Sequence, residues 1–178
     1  NKWEQPFAIQ RQAIPAIMSG RDVVGIAQTG SGKTLAYLVP LIRHVLDQPA
    51  PQPGEGCVAL VIAPTRELAT QIHSEVGKFK ALGVTSACLY GGSNVGDQIA
   101  AVRRGVHVVV GPPGRLIDVL ASRGGKNLPL TRVTFVVLDE ADRLFDMGFE
   151  PQIERILANV RPDRQMVLFS ATFPVHVE

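Results

Sequence analysis

The chain has 178 residues, of which 46% are hydrophobic, 6% aromatic and 19% charged, and its formal net charge is +2. This size suits one domain that buries about 70% of its unfolded surface, and the composition excludes a fibrous or disordered protein. The small net charge does not by itself indicate nucleic-acid binding. Since no run approaches about 18 apolar residues, we expect an intracellular protein with no membrane partner.

Strand-like and helical segments alternate along the chain. Apolar spacing over residues 1–20 predicts an amphipathic helix that ends at Gly20. The predicted strands are 22–27, 57–63, 85–90, 106–110, 133–138 and 165–169. The predicted helices between them are 33–47, 66–80, 95–104, 114–122 and 150–159, with a short one near 141–146. Because the strands are continuous apolar runs, we expect an α/β fold, with a mostly parallel sheet that is buried under helices on both faces.

Several further features concern the ends, the loops and the reactive side chains. The chain begins at Asn1 and stops soon after S-A-T-F-P, which predicts that residues 1–178 are a single domain of a longer protein. The Pro- and Gly-containing stretch 48–56 predicts a flexible surface loop. Cys57 and Cys88 lie in apolar runs, so we expect buried free thiols. Four histidines lack metal-ligand spacing and are expected in surface or packing positions: His44, His73, His107 and His176.

A phosphate-binding loop is predicted directly after the first strand, where the chain reads A-Q-T-G-S-G-K-T. Its glycines permit a tight turn that points backbone N–H groups at phosphate oxygens, and the helix that follows adds its positive end. Lys33 would supply a charge for the β- and γ-phosphates, and Thr34 a hydroxyl ligand for Mg²⁺. A Gly-rich structural turn is the alternative. The candidate nucleotide-binding residues are Ala27, Gln28, Thr29, Gly30, Ser31, Gly32, Lys33 and Thr34, with Ala27 standing where the general pattern has glycine.

A run of carboxylates, D-E-A-D, follows the strand predicted at 133–138. A carboxylate at the end of a buried strand is costly without a charged partner, and Mg²⁺ near Thr34 would be such a partner. We therefore expect Asp139 to hold Mg²⁺ through water, and Glu140 to orient or deprotonate the attacking water. An acidic helix N-terminus is the alternative. Lys33, Asp139 and Glu140 are the candidate catalytic residues.

Six motifs occur in one order: A-Q-T-G-S-G-K-T, P-T-R-E-L-A, G-G, P-G-R, D-E-A-D and S-A-T. In this order the chain resembles, over nearly its whole length, the first RecA-like lobe of the DEAD-box RNA helicases. The resemblance implies a RecA-like P-loop NTPase fold, ATP and Mg²⁺ as cofactors, and single-stranded or short duplex RNA as substrate. It also implies a C-terminal RecA-like lobe as a partner, without which this lobe would be nearly inactive.

The resemblance assigns an adenine-reading residue near the start of the chain. Gln10 matches the glutamine that pairs with the adenine edge, with the backbone near Gln5 helping. A side-chain amide suits this role because it both donates and accepts hydrogen bonds. The family usually has Thr-Pro where this chain has Phe7 and Ala8. From the residues alone, Gln10 would be a surface amide of a helix.

The resemblance places a first set of RNA contacts after the strand 57–63. Pro64, Thr65 and Arg66 match a motif that contacts the sugar-phosphate backbone of single-stranded RNA, which a hydroxyl and an arginine suit. The alternative is helix capping by Thr65 with Glu67 in the first turn, and both can hold together.

A second set of RNA contacts is implied at two glycine-containing turns. Gly91 and Gly92 would let RNA approach the main chain closely, although a bare glycine pair is also a turn. Gly114 and Arg115 match a motif that normally reads T-P-G-R. Here Pro112 replaces the threonine and removes a hydroxyl and a backbone N–H. Contacts of this kind predict binding that tolerates sequence and depends on salt.

The remaining motifs concern coupling and the biological setting. Similar proteins use Ser170 and Thr172, near D-E-A-D residues such as Asp142, to link the nucleotide site to strand separation; an ordinary polar turn is the alternative. The runs D-M-G-F-E-P-Q-I and R-P-D-R-Q-M-V-L-F-S-A-T-F-P are similar to DEAD-box helicases of pre-mRNA splicing, which implies spliceosomal partners and a nuclear location, with the cytoplasm as the alternative. A DNA-directed helicase lobe and a non-catalytic docking scaffold are the rival hypotheses.

Overall fold

A computed structural model describes residues 5–172, which form one six-stranded parallel sheet. The strands are β1 Val23–Ile26, β2 Ala59–Ile62, β3 Ser86–Cys88, β4 Val108–Gly111, β5 Phe135–Leu138 and β6 Gln165–Ser170. Their order across the sheet is β1-β6-β5-β2-β4-β3. In register, Leu60 lies beside Val136 and Val109, and Val24 lies beside Leu168. The predicted α/β class and parallel sheet are confirmed.

Within residues 5–172, seven α-helices connect and cover the strands. They are α1 Ala8–Met18, α2 Lys33–Leu46, α3 Arg66–Gly77, α4 Val95–Arg103, α5 Pro113–Ala121, α6 Ala141–Asp146 and α7 Glu150–Leu157. Each helix predicted from the sequence is present, with ends that differ by a few residues. The helix predicted to reach residue 80 ends at Gly77, because residues 80–82 form a tighter 3-10 turn that Gly83 closes at a φ of 88°.

Two apolar clusters cover the two faces of the sheet. Along β2, Ala59 and Val61 belong to the cluster under α1, α2 and α3, whereas Leu60 and Ile62 belong to the cluster under α5, α6 and α7. All four residues are fully buried, as the continuous apolar run predicts for a strand in the middle of a parallel sheet.

Strand β1, at the edge of the sheet, is not buried on both faces as its apolar run predicted. Val24 is 51% exposed and Ile26 is 41% exposed, while Gly25 between them is buried against the ring of Phe169. The prediction of two-sided burial is therefore wrong for β1. An apolar run shows that a strand is hydrophobic, but the position of that strand in the sheet decides how much of it is covered.

The cysteines are free thiols, as predicted. Burial raises the pKa of Cys57 to about 12 and that of the half-buried Cys88 to about 11, so neither is a reactive thiolate near neutral pH. His44 hydrogen-bonds Thr134 at 2.7 Å and His107 hydrogen-bonds Thr85 at 2.9 Å, which are packing roles. His176 lies outside the described residues. Within residues 5–172, no helix is long and apolar enough to cross a membrane.

The stretch 48–56, predicted to be a flexible loop, is held against the domain. The Gly54 amide donates to the Arg103 carbonyl at 3.0 Å, and Arg132 forms an ion pair with Glu55. A Cβ at Gly105 would lie 2.7 Å from the carbonyl oxygen of Pro51, so only glycine allows this approach. These tertiary contacts, which have no local sequence signal, order the loop.

The strand order divides the carboxyl edge of the sheet into two halves. The phosphate loop, the D-E-A-D run and the S-A-T motif follow β1, β5 and β6, which are neighbours. The three motifs assigned to RNA follow β2, β3 and β4, which are also neighbours. Since carboxyl ends of parallel strands share one edge, the two sets of motifs lie side by side on the edge where ligands bind in such sheets.

Candidate nucleotide and RNA site

The phosphate loop is shaped by two glycines in left-handed conformations. Gly30 has a φ of 77°, and Gly32, which caps α2, has a φ of 85°. A Cβ on Gly32 would lie 2.5 Å from Nε2 of Gln10 and 2.7 Å from the ring of Phe7. Glycine is thus favoured at position 32 by its backbone angle, and the loop opens directly into the N-terminus of a helix of 14 residues.

Lys33 provides the strongest indication of an anionic ligand. Its side chain is buried, with 8% of the residue exposed. Within the described part of the chain, its ammonium nitrogen has no hydrogen-bond partner. A buried charge without a partner is costly, so this position, at the mouth of a phosphate loop, fits a ligand that carries negative oxygens.

Asp139 lies next to this loop and is held by two donors. The Tyr37 hydroxyl donates to its Oδ2 at 2.8 Å, and the Glu140 amide donates to its Oδ1 at 2.9 Å. Burial raises the pKa of Asp139, while Tyr37, the Glu140 amide and the Lys33 ammonium act in the opposite direction. The charge of Lys33 therefore reaches Asp139, as expected if both face one ligand.

Tyr37 is a site residue that the sequence interpretation missed. It is fully buried, and burial followed by the charge of Asp139 raises its pKa well above its usual value, so it is a neutral donor. A signal was present in the sequence. Tyr37 lies four residues after Lys33, and residues at this spacing share one face of a helix.

Glu140 adopts a backbone conformation that is rare for its residue type. Its φ of 50° and ψ of 53° are left-handed, which costs a residue with a side chain on the order of 1–3 kcal/mol. Arg143 lies 3.3 Å from its Oε2. Strain of this kind at a strand end is typical of functional sites. Glu140 also occupies the N-cap position of α6, although its side chain makes no capping hydrogen bond, so the alternative of an acidic helix start concerns the same residue.

The residues that could hold Mg²⁺ are few. Among residues 5–172, no group of three or more His, Cys, Asp or Glu side chains could form a metal site. Thr34, in the first turn of α2, and Asp139 both lie close to Tyr37 and are two protein oxygen donors beside the loop. This donor set fits Mg²⁺, which is commonly bound through one or two protein oxygens together with substrate phosphates and water.

Gln10 connects α1 to the phosphate loop. Its Nε2 donates to the Gly32 carbonyl at 3.1 Å, and its Oε1 accepts from the Phe7 amide at 2.9 Å. With 8% of its surface exposed, Gln10 is not the surface amide that the residues alone would suggest. Gln5, the second residue expected near adenine, is exposed just before α1.

The S-A-T motif contacts the D-E-A-D run, as expected. Oδ2 of Asp142 accepts from the Thr172 amide and hydroxyl, both at 3.1 Å, and from the Ala171 amide at 3.2 Å. The Asp142 amide in turn donates to the Ser170 hydroxyl at 3.2 Å. The Ala27 amide donates to the Ser170 carbonyl at 3.0 Å. The ends of β1, β5 and β6 therefore form one hydrogen-bonded unit.

In the other half of the edge, Arg66 is the central residue. It is exposed, its Nη1 donates to the Gly91 carbonyl at 3.3 Å, and its guanidinium lies 4.6 Å from the centre of the Tyr90 ring. A Cβ on Gly91 would lie 3.8 Å from Nη2 of Arg115. Two arginines and the turn at 91–92 therefore converge, although they come from three different strand ends.

The other residues assigned to RNA have different surroundings. Thr65 caps α3 by accepting from the Leu68 amide at 3.2 Å, so the capping alternative holds there. Pro64 is buried, so its ring presents little surface to a ligand. Pro112 caps α5, and Gly114 is exposed in the first turn of that helix.

A second site feature that sequence reasoning missed is the contact between Tyr90 and Gln98. Oε1 of Gln98 accepts from the Tyr90 amide and its Nε2 donates to the Tyr90 carbonyl, both at 3.0 Å. Tyr90 could have been found from the sequence, because it is an aromatic residue directly before the glycine pair. Gln98 has no such signal, because only the fold brings α4 to the end of β3.

Comparison with known proteins agrees with this geometry. The profile of the DEAD/DEAH box helicases matches residues 7–178. The chain is 62% identical to DEAD-box ATP-dependent RNA helicase 42 of Oryza sativa subsp. japonica, over 99% of the chain and 17% of the relative. It is 60% identical to pre-mRNA-processing ATP-dependent RNA helicase prp5 of Aspergillus terreus, over 99% and 15%. It is 59% identical to the human probable ATP-dependent RNA helicase DDX46, over 99% and 17%.

These relatives are much longer proteins, since the chain spans 15–17% of the three. The similarity nevertheless covers the whole sheet and every motif of the site. The predicted resemblance is confirmed at the level of the family: this chain belongs to the DEAD/DEAH box helicases.

Proposed function

We propose that this chain is the ATP- and RNA-binding lobe of an ATP-dependent RNA helicase that remodels RNA during pre-mRNA splicing. One observation carries the proposal: the ammonium of Lys33, which has no hydrogen-bond partner among residues 5–172, lies beside Asp139, and the convergent Arg66 and Arg115 occupy the adjoining half of the same sheet edge. A triphosphate and a nucleic-acid backbone could then bind side by side, as ATP-dependent movement of RNA requires.

In the nucleotide half, each residue has a separate task. Lys33 and the amides of residues 28–34 bind phosphate oxygens, and Thr34 with Asp139 would hold Mg²⁺, which neutralises charge on the phosphates when bound. Gln10 contributes selection of adenine from its place against the loop. Glu140 orients the attacking water and accepts its proton.

Hydrolysis in this class depends on positioning and charge stabilisation, to which an arginine supplied from outside the phosphate loop commonly contributes. We infer that a second RecA-like lobe supplies this arginine in the whole protein. The chain by itself therefore binds nucleotide weakly and turns over little ATP.

In the RNA half, arginine side chains and main-chain groups contact the sugar-phosphate backbone. Such contacts carry no base information, so binding tolerates different sequences and weakens with salt. The hydrogen bonds of Asp142 to Ser170 and Thr172 lie inside the nucleotide half, where loss of the γ-phosphate would change their surroundings. This unit is our candidate for coupling hydrolysis to strand separation.

The relatives are the basis for proposing a role in splicing, with spliceosomal partners and action in the nucleus. One of them is named a pre-mRNA-processing helicase, and it matches nearly the whole chain at 60% identity. These assignments belong to the proposal for the whole protein, of which this chain is one lobe.

Two experiments test the proposal. The first measures the affinity of the chain for a fluorescent ATP analogue, with ATP and GTP as competitors, and for matched single strands of RNA and DNA. We expect adenine selection and a preference for RNA; a preference for DNA would indicate a DNA-directed lobe instead.

The second experiment compares RNA-stimulated ATP hydrolysis by the chain alone with hydrolysis by the same lobe joined to its natural downstream sequence. Turnover is expected only in the longer protein, and a Glu140→Gln variant should abolish it. Robust turnover by the monomeric chain of 178 residues would contradict the need for a second lobe. Full function of the Glu140→Gln protein would favour a docking scaffold.

A further inference from the structure

Gln98 makes an unusual contact with the end of the edge strand β3. Beyond this strand, the Leu89 amide donates to the Val110 carbonyl of β4 at 2.8 Å, so residue 89 bonds toward the sheet. Backbone groups of the next residue in an extended chain point the opposite way. At Tyr90 no strand of residues 5–172 lies on that side, because β3 is last in the sheet order.

The side-chain amide of Gln98 makes the hydrogen bonds to the Tyr90 backbone that a neighbouring strand would otherwise make. It accepts from the Tyr90 amide and donates to the Tyr90 carbonyl, each at 3.0 Å, and it also donates to the Ser93 hydroxyl. A primary amide can satisfy a backbone N–H and C=O in this paired way, because it carries both an acceptor oxygen and N–H donors. Gln98 therefore holds the chain on both sides of the glycines at 91 and 92.

The segment that Gln98 holds carries the RNA half of the site. The Tyr90 ring lies under the guanidinium of Arg66, and the Gly91 carbonyl accepts from the same group. Gly92 has a φ of 80°, and a Cβ there would lie 3.1 Å from Nη1 of Arg66. Where this segment lies thus decides where Arg66 lies.

Two adjacent glycines do not fix their own conformation, because each has wide backbone freedom. Both are exposed and contribute no side chain to the core. The position of the turn is therefore set from outside, by the hydrogen bonds that Gln98 makes to Tyr90 and Ser93 on its two sides.

We propose that Gln98 is a positioning residue for RNA binding, which acts by holding the Tyr90–Gly92 turn and, through it, the guanidinium of Arg66. This inference rests on the proposed RNA-binding function. Gln98 is half-buried at a solvent-exposed turn, so water can replace its hydrogen bonds when they are lost. Its removal should weaken RNA binding more than it weakens the fold.

The test uses the 178-residue chain, a fluorescent single-stranded oligouridylate and two matched substitutions. Gln98→Met keeps the side-chain length but loses the amide. Gln71→Met makes the same change at an exposed position of α3. RNA affinity is measured by anisotropy at several salt concentrations, ADP affinity and melting temperature are measured in parallel, and RNA-induced shifts of the Gly91 and Gly92 amides are followed by NMR.

We expect Gln98→Met to weaken RNA binding about tenfold, the loss that misplacing one charge-assisted contact should cause. ADP affinity and the melting temperature should match those of Gln71→Met. The same substitution in an Arg66→Ala background should cause a much smaller loss, because the group that Gln98 positions is then absent.

Three results would overturn the inference. Unchanged RNA affinity of Gln98→Met would show that the hydrogen bonds of Gln98 are not needed to position the turn. An equal loss with and without Arg66 would show that Gln98 does not act through Arg66. A parallel fall in ADP affinity and melting temperature would show a general structural role. Failure of the unsubstituted chain to bind RNA, or to shift its Gly91 and Gly92 amides, would overturn the proposed function, and this inference with it.

Discussion

The two halves of the sheet edge present their ligand-binding groups in opposite ways. In the nucleotide half, Lys33 and Asp139 are buried, and Asp139 is held by the buried Tyr37. In the RNA half, Arg66 and the Gly91–Gly92 turn are exposed. A compact triphosphate suits a few desolvated groups, whose electrostatic effects are strong at low dielectric. A long polyanion suits exposed charges, each of which contributes modestly.

This difference predicts how substitutions behave in each half. Changes to the buried side chains of the nucleotide half should have large effects on nucleotide binding, on stability or on both. Changes in the exposed half should act on RNA binding alone and should depend on salt. The four predictions below test this contrast, from the largest expected effect to the smallest.

Replacement of Lys33 by methionine should weaken nucleotide binding about 100-fold, because it removes the charge that faces the phosphates. The melting temperature should stay the same or rise, since the substitution removes a buried ammonium that has no hydrogen-bond partner in the described part of the chain. Titration with a fluorescent nucleotide and a thermal melt measure both effects. Lys80→Met, at an exposed position, is the matched control. Nucleotide affinity equal to that of the control would remove the basis of the proposed site.

Tyr37→Phe should lower the free energy of unfolding by about 1–3 kcal/mol, because Asp139 loses a buried hydrogen-bond donor. Since the hydroxyl also fixes the carboxylate, the gain in nucleotide affinity on adding Mg²⁺ should shrink. Urea unfolding and nucleotide titrations with and without Mg²⁺ measure these effects. The same change at the half-buried Tyr90 retains the ring beside Arg66 and should alter neither quantity. A Tyr37→Phe protein as stable as Tyr90→Phe would contradict the role of this hydrogen bond.

Arg66→Ala should weaken RNA binding about tenfold and reduce the slope of log affinity against log salt by about 0.7, the value for one phosphate contact on a single strand. Arg66→Lys should keep the slope but lose part of the affinity, because lysine retains the charge without the planar donor fork. Arg103→Ala removes the same charge at an exposed position of α4 and serves as the control. Equal effects of the two alanine substitutions would mean that only net charge matters.

The smallest effect concerns Asp142. Burial raises its pKa, but hydrogen bonds from the amides of Arg143 and Thr172 and from the hydroxyls of Thr172 and Ser170 lower it below the usual 3.8. A carboxyl whose pKa falls on folding stabilises the fold above its unfolded pKa, and this contribution is lost as the pH falls through the folded value.

For Asp142→Asn we therefore expect a loss of stability below about 1 kcal/mol near neutral pH, reduced by solvent screening at this partly exposed site. The gap to the unsubstituted chain should close as the pH falls below about 3.8. Urea unfolding at a series of pH values checks this. A gap that widens toward acidic pH would mean that the carboxylate is not the stabilising form.

Much of this protein was determined by local sequence. Continuous apolar runs predicted the parallel strands, helical periodicity predicted the seven α-helices of the described residues, and A-Q-T-G-S-G-K-T placed the phosphate loop at the end of β1. These features depend on backbone geometry and on burial of neighbouring residues, which a short segment already encodes. The family resemblance was also available, because it rests on the order of short motifs.

Only the tertiary structure decided what depends on contacts between distant segments. The strand order brought β1, β6 and β5 together and so separated the nucleotide half from the RNA half. Packing joined Tyr37 to Asp139 and Gln98 to Tyr90, and it left one face of β1 open. The physical reason is that the hydrogen-bond partner and the burial of a side chain are set by neighbours far along the chain. The composition of a single segment does not determine which residues those neighbours are.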